Sequence, residues 1–505
     1  MHLDITTRDH KTLKYLLNAY LPGTTVWAFG SRVKFTSKPE SDLDLVIFTP
    51  EKFLLAELKD AFAESDLPFK VDILDWDIIP DNFKQNIEKD YVVLQDASEE
   101  KAQIPQNWKT YKLGNLIQVN KKSINKDFPF DTINYIDTSS VTQNRFKKTP
   151  ELELFSAPSR ARRIVQENDV IYSTVRPVQR HYGFIQGFKP NTIVSTGFAV
   201  LTPKKIDPKF LYYYLTKDEI VNYLNGVAES NTTTFPAFNA SLFETIDITI
   251  PRSSKEQESI SSILSSLEDK IELNQQMNQT LEIMAQAIFK EWFVDFNFPG
   301  FDGELKDGLP KGWRIGVISD IYKTTSGGTP SRANYEFYTN GNIKWVKSKE
   351  LDGGFILDTE EKITENAVKN SSAKKFPRHS LLIAMYGATV GQYAIVSSEA
   401  TCNQAVCAII PNDVYPYSYI LEYVKMNKDN IIDQASGSAQ QNISQALIQR
   451  QEILIPPPAI VKGFHEIASN LLSKMENNLF ENQALTQIRD NLLPRLMSGK
   501  IEVKT

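Results

Sequence analysis

The chain repeats itself. "IPQNWKTYKLGNLIQV" at 104–119 matches "LPKGWRIGVISDIYKT" at 309–324, and Trp108 and Trp313 lie 205 residues apart. "IDITIPRSSKEQ" at 246–257 matches "QEILIPPPAIVK" at 451–462, with Pro251 and Pro456 again 205 apart. "DKIELNQQMNQTL" at 269–281 matches "SKMENNLFENQAL" at 473–485 at an offset of 204. Three matches in one order, at nearly one offset, make residues 104–298 and 309–500 two copies of one unit. That constrains the fold more than composition can.

Each unit has two parts. The first is rich in strands and turns: runs such as "DVIYSTV", "TGFAVL", "SLLIAMYG" and "AVCAII" are punctuated by Gly, Pro and Asn. The second is helical. After Ile260, the apolar residues Leu264, Leu267, Ile271, Leu281 and Ile288 follow steps of three and four, with Asn274 and Asn278 in the seam. The second copy gives Phe464, Leu471, Met475, Leu479 and Leu485, with Asn482 in the seam. This is a heptad pattern, and seam asparagines fix register and partner. A helix of about 40 residues is about 60 Å long and cannot bury its stripe alone. The pattern predicts that the two helices pair antiparallel, as a rod between two globular heads. The competing reading packs each helix on its own domain.

A duplicated head on a fixed spacer suits a bipartite target. Net charge, −6 over 505 residues, is unevenly spread. Residues 1–100 carry 11 Lys+Arg against 19 Asp+Glu, a balance of −8, and the remainder is +2. The first head concentrates Arg145, Lys147, Lys148, Arg160, Arg162, Arg163, Arg176 and Arg180 in 141–180. The second offers Lys344, Lys347, Lys349, Lys374, Lys375 and Arg378. Cations among polar and aromatic residues suit phosphate neutralisation, although such a run is also the composition of a solvated face. A polar loop stands before the strand that leads into each helix. The first contains Asn231, Thr232, Thr233 and Thr234, the second Ser438, Gln440, Gln441 and Asn442. Amides and hydroxyls of this kind read base edges; the plain alternative is two surface loops.

The front hundred residues have another logic. Their order is helix "RDHKTLKYLLNAY", strand "TTVWAF", Gly30-Ser31, loop, strand "DLDLVIF", helix "EKFLLAELKDAFAES", strand "FKVDILDW" and helix "DNFKQNIEKD". Asp42 and Asp44 are two apart on a strand and leave the same face. Asp72 sits on the next strand. Three such carboxylates suit Mg²⁺, Gly30 permits close backbone approach, and Ser31 can bond a phosphate. The alternative for a D-x-D pair is a solvated strand end. No apolar run approaches the roughly 18–20 residues of a membrane span, and the first residues lack a signal-peptide core. Cys402 and Cys407 cannot form a disulfide framework or a four-ligand zinc site. The expected compartment is cytoplasmic.

Residues 104–500 resemble the specificity subunit of type I restriction–modification systems. The resemblance rests on the two head starts, on "SGGTPSRANYEFYTNGNIKWV" at 326–346, on "SGSAQQNIS" before "ILIPPP", on "LSSLEDKIELNQQMNQTLEIMAQAIFKEWFVDF", and on "LLPRLMSGKIEV". It implies two target-recognition domains that read the halves of a split double-stranded DNA site. It also implies helices that dock two methyltransferase subunits, with S-adenosylmethionine on those partners, and a restriction subunit that joins them. The specificity region itself would hold no cofactor and no catalytic centre. Residues 1–97 resemble small nucleotidyltransferases of the DNA polymerase β-like superfamily, of the kind found as antitoxins. That resemblance implies Mg²⁺ and an NTP, with Gly30, Ser31 and Arg32 at the nucleotide, Asp42, Asp44 and Asp72 at the metals, and Asp72 as the catalytic carboxylate at the acceptor. Phe35 stands where that family commonly has Gly.

The expected fold is α+β and multidomain. A nucleotidyltransferase-like α/β domain covers 1–97 and a linker 98–104. Mixed, strand-rich target-recognition domains cover 105–250 and 299–455. Two long helices, 251–298 and 456–500, form an antiparallel coiled coil between them. The expected function is DNA specificity with a regulatory or antitoxin front domain. The alternatives are a bifunctional protein that transfers NMP to a protein or RNA, and a scaffold whose heads bind protein.

Overall fold

The structure, a computed structural model, describes residues 3–503 other than 22, 39–40, 49–51, 64, 97–103, 232–235 and 435–441. The side chains of Thr7, Ala19, residues 52–57 and Asn231 are not described. The fold is mixed α+β. Chain contacts divide it into two compact units, residues 1–265 with 490–505, and residues 266–489.

The front domain runs α1 (Thr7–Tyr20), β1 (Thr25–Phe29), β2 (Leu43–Phe48), α2 (Lys52–Ala63), β3 (Val71–Asp75), α3 (Asp81–Ile87) and β4 (Tyr91–Gln95). The sheet order is β3-β2-β1-β4. β2 and β3 are parallel, and β1 is antiparallel to both its neighbours. α1 begins where the Thr6 hydroxyl accepts from the Asp9 amide at 3.1 Å, a side-chain cap. Leu13, Leu17, Leu58 and Phe62 cluster with Val26, Ala28, Leu45, Ile47 and Ile73, the residues of one sheet face. Strand alternation places Asp44 and Asp72 on the other face, with Trp27, Val46 and Phe48. The sequence reading did not assign β4: "YVVLQ" follows a helix with no Gly or Pro to announce a strand.

The repeat survives in the strand register. Trp108–Lys112 pairs antiparallel with Asp247–Pro251, with Lys109 opposite Ile250. Arg314–Val317 pairs with Glu452–Ile455, with Arg314 opposite Ile455, and both partners are shifted by 205. The first head adds two four-stranded sheets, the second a five-stranded and a three-stranded sheet. The long helices are Ser254–Phe293 and Pro458–Met497, 40 residues each. They start and stop slightly inside the expected bounds, because the strand ending at Pro251 and the chain after Phe293 are not helical.

Both helices contribute to both units. In the first unit, Ile260 and Leu264 of the first helix and Leu496 and Met497 of the second share a core with Trp108, Tyr172 and Phe210. The Trp108 indole donates to buried Glu256 at 3.0 Å, tying the head's first strand to the helix start. In the second unit, Phe289 and Phe293 share a core with Trp313, Tyr419, Val461 and Phe464.

Within the second unit the helices meet in antiparallel order. The Asn274 amide donates to Asn482 at 2.9 Å and to Glu481 at 2.8 Å, and the Asn478 amide donates to Asn278 at 2.8 Å. Further along, the Phe289 and Phe464 rings lie 5.7 Å apart. The second helix's register differs from the expected one. Leu472 and Asn478 are buried, whereas Leu471 and Leu479 are only half-buried. Adjacent leucines at 471 and 472 fit two registers equally, and Asn478 could not be told from a surface asparagine until its partner was known. Among the described residues, no helix is long and apolar enough to cross a membrane.

Candidate functional site

Two kinds of site emerge, one on the front domain and one on each head. On the front domain, Asp44 and Asp72 are direct register neighbours on parallel strands. Asp44 also lies opposite Phe29, one residue before Gly30. Gly30 has φ +85°, which favours glycine, and a Cβ there would stand 2.2 Å from Asp44 Oδ2 and push that carboxylate aside. Burial, then the charges of Asp72 and Asp42, raise the pKa of Asp44 above the ordinary carboxylate value. Mutually repelling carboxylates beside a glycine that admits close approach fit a divalent cation and a phosphate chain. Among the described residues no three acidic, His or Cys side chains are already drawn into a ligand set. Asp72 instead meets Lys70 Nζ at 2.5 Å.

The turn after Gly30 is closed by its own main chain. Gly30 O accepts from Val33 and Lys34, and Ser31 O accepts from Thr36 at 3.0 Å. Arg32, expected at the nucleotide, has another task. It is buried and donates to Ser41 O at 3.0 and 2.7 Å and to Asp4 O at 2.9 Å, with its guanidinium 4.1 Å from the Phe69 ring centre. It pins the loop between β1 and β2. Phe35 is exposed, with φ +55°.

On the first head, Arg145, Lys147, Lys148, Arg160, Arg162 and Arg176 are exposed. Arg163 is half-buried, and burial lowers its pKa. Arg180 is ion-paired to Asp218 at 2.7 Å. The second head differs. Lys347 and Lys349 pair with Glu360 at 2.9 and 2.7 Å, and Lys375 pairs with Glu365 and Glu399. Arg378 pairs with buried Glu476 at 2.6 Å. Lys344 donates to Leu357 O and to Ser398, and burial lowers its pKa. Lys374 is exposed. Four of the six expected cations of the second head are therefore ion-paired within the chain, while Lys349, Lys374 and Arg378 remain exposed. Sequence could not show the pairing of Arg378, whose partner Glu476 is 98 residues away.

Thr232, Thr233, Thr234, Ser438, Gln440, Gln441 and the Asn231 side chain lie outside the described residues. The flanks of both loops are described, and they correspond. Ala237 forms an isolated bridge with Val175, and exposed Asn442 with Tyr386. Arg176 N donates to Pro236 O at 2.9 Å, and Ile443 N donates to Met385 O at 2.8 Å. In both heads the polar loop thus returns against a strand-connecting turn, at Arg176–Arg180 in one and Tyr386–Gly391 in the other. The sequence reading missed these turns. The signal was an offset of 211 between "YSTVRPVQRHYGF" and "IAMYGATVGQYAI".

Comparison with known proteins places both regions. Residues 105–283 and 310–489 match the type I restriction modification DNA specificity domain. Residues 11–100 match the polymerase β nucleotidyltransferase family. The chain is 29% identical to the type I restriction enzyme HindI specificity subunit of Haemophilus influenzae, an alignment covering 78% of this chain and all of that one. Its front is 48% identical to the probable protein adenylyltransferase MntA of the same organism, covering 19% of this chain and 85% of that one. The crystal structure of the type I restriction–modification S subunit from M. genitalium shares the fold at TM-score 0.53 and 15% identity, covering 79% of this chain and 97% of that one. The repeated heads, their shared strand register and these matches lead to one assignment: the chain belongs to the type I restriction–modification DNA specificity family and carries a polymerase β-type nucleotidyltransferase domain at its front.

Proposed function

We propose that this chain reads a bipartite double-stranded DNA site, one half with each head, and delivers methyltransferase subunits to it. The observation that carries the reading is the duplicated head with a corresponding loop-and-turn in each copy. Exposed cations of the first head such as Arg160 and Arg162 contact phosphates, and the polar loops with Asn442 contact base edges. The two helices form an antiparallel coiled coil that sets the gap. Leu273, Ile283, Phe480 and Ile488 are exposed apolar residues on those helices, the surface type that a partner subunit covers. Restriction subunits would join through the same assembly.

The test is selection of bound duplexes from a randomised pool at several salt concentrations. The reading expects two short conserved blocks separated by a fixed degenerate gap. Salt-insensitive binding, or one continuous block, would contradict it.

A second reading concerns the front domain, favoured by the facing of Asp44 and Asp72. We propose that it transfers the nucleoside monophosphate of an NTP to a hydroxyl of a protein or RNA acceptor: the hydroxyl oxygen bonds the α-phosphorus, the α–β phosphoanhydride bond breaks, and pyrophosphate leaves. Gly30 and Ser31 would hold the phosphates, Asp42 and Asp44 would ligate Mg²⁺, and Asp72 would release Lys70 and accept the acceptor's proton. A bound Mg²⁺ would supply charge neutralisation for the triphosphate. Arg32 is left out of the nucleotide set, since its guanidinium is spent on Ser41 and Asp4. Incubation with labelled NTP and Mg²⁺ should label an acceptor with the native chain and not with the Asp42→Ala/Asp44→Ala variant. Equal labelling by both would remove the carboxylates from the reaction.

A further inference from the structure

The turn beside each polar loop occupies the same place in both heads. Val170–Ser173 pairs with Tyr182–Phe184 in the first, with Val170 opposite Phe184. Leu381–Ala384 pairs with Tyr393–Val396 in the second, with Leu381 opposite Ile395. Both members are shifted by 211, so Arg176 corresponds to Gly387 and Arg180 to Gly391. All four are left-handed: φ is +47° at Arg176, +56° at Arg180, and +73° at both glycines. The backbone path requires a left-handed residue at each point. The second head meets that requirement with glycine, which has no Cβ to strain. At Gly391 a Cβ would also come within 2.2 Å of Ile432. The first head puts arginine at both points and keeps the strain, and strain retained in this way gathers where function needs a side chain.

The two arginines divide the work. Arg180 is tied to Asp218, and its carbonyl accepts from Gln143 N at 2.9 Å. That bond docks a hairpin tip, itself left-handed at Gln143 and Asn144, against the turn. Arg180 therefore positions the turn. Arg176 is exposed, and its main chain is bonded to Pro236, at the return of the polar loop. We propose that Arg176 is a base-reading residue of the first head and that the half-site it reads contains a guanine. A guanidinium meets the O6 and N7 acceptors of guanine with two parallel donors, a match no other base offers in the major groove. The second head has Gly387 at this point, so its half-site is read without a cation from this turn.

The inference rests on the DNA-reading proposal, and the experiment separates the two. Full-length native, Arg176→Ala and Arg176→Lys chains select duplexes from one randomised pool. The native chain should select a bipartite motif with guanine in one block. Arg176→Ala should lower the guanine preference at one position of that block about tenfold or more and leave the other block intact, which also shows that the variant is folded. Arg176→Lys keeps the charge without the two-pronged fork, so it should keep the salt dependence and lose the guanine preference. Unchanged guanine preference in both variants, or uniform weakening on all sequences, would overturn the assignment and make Arg176 a bystander or a phosphate contact. If the native chain selects no motif, the DNA reading itself falls, whatever Arg176 does.

Discussion

Phe35 shows how a single residue can strain a site without touching it. Its φ of +55° lies in the region where an L side chain costs about 1–2 kcal/mol. The ring is exposed and so recovers little by packing. Phe35→Gly should stabilise the front domain by about 1 kcal/mol, less whatever entropy the glycine adds to the unfolded chain. Amide exchange in β1 and β2 of the full chain should slow roughly fivefold. Faster exchange would mean that the ring makes a stabilising contact. A second residue-scale test is acid sensitivity in the second unit. The His465 ring lies 2.9 Å from the Ser418 hydroxyl, near Tyr417, His379 and Glu466. Burial, and then the charge of His379, lower its pKa below the ordinary 6.5. The folded state therefore binds this proton less readily than the unfolded chain does, and stability is lost as pH falls through 6.5 toward the lowered value. Glu476 is shifted in the same direction. Burial pushes its pKa up, but bonds from His379 and Arg378 outweigh burial and hold it below the ordinary carboxylate value. The urea midpoint should therefore fall between pH 7.5 and 5.5 in the native chain and fall less in His465→Gln. Equal falls would assign the acid sensitivity elsewhere.

At the scale of elements, the long helices carry their specificity in buried polar contacts. Asn274 and Asn478 are fully buried, and Asn274 is bonded to Asn482 and Glu481. Asn482→Leu should cost on the order of 1–2 kcal/mol, because it removes one partner of a buried amide. The double change Asn274→Leu/Asn482→Leu should recover much of that loss, since both polar groups leave together, yet it should loosen the register that the pair fixes. Urea unfolding reads the first effect. Cross-linking between cysteines introduced at exposed Glu272 and Ala484 reads the second, by showing more than one register. A double variant that loses the sum of what Asn274→Leu and Asn482→Leu lose singly would mean that the amides are not coupled. The helices themselves were legible in the sequence, because a heptad stripe without breakers over about 30 residues admits few other structures. Their register was not, because leucines at 471 and 472 satisfy two alignments and asparagine at a seam looks like asparagine at a surface. The shared face of Asp44 and Asp72 was legible for the opposite reason: strand alternation fixes which face a residue takes, whereas Asp42, expected on the same strand, stands exposed just before β2. The role of Arg32 was not, since nothing local shows that Ser41 O and Asp4 O would claim it.

At the scale of the whole molecule, the repeat foretold the duplicated heads, and its 205-residue offset recurs in both members of each first-strand pair. It could not foretell the unequal treatment of charge, in which the first head keeps most of its expected cations exposed and the second pairs four of its six with carboxylates of its own chain. If the helices act as a ruler, matched seven-residue insertions near residues 275 and 479 should add about 10 Å, close to three base pairs. The degenerate gap should lengthen by that amount and both half-sites should stay the same. Altered half-sites with an unchanged gap would remove the ruler.

The most direct test of the central claim, that this chain chooses a bipartite DNA site, is a map of methylated bases across the host genome with and without its gene. The account predicts that one motif, two short blocks around a fixed gap, is methylated only when the gene is present, and that a chain lacking residues 1–100 restores it. A methylation pattern indifferent to the gene, or one dependent on it but continuous in sequence, would contradict the account.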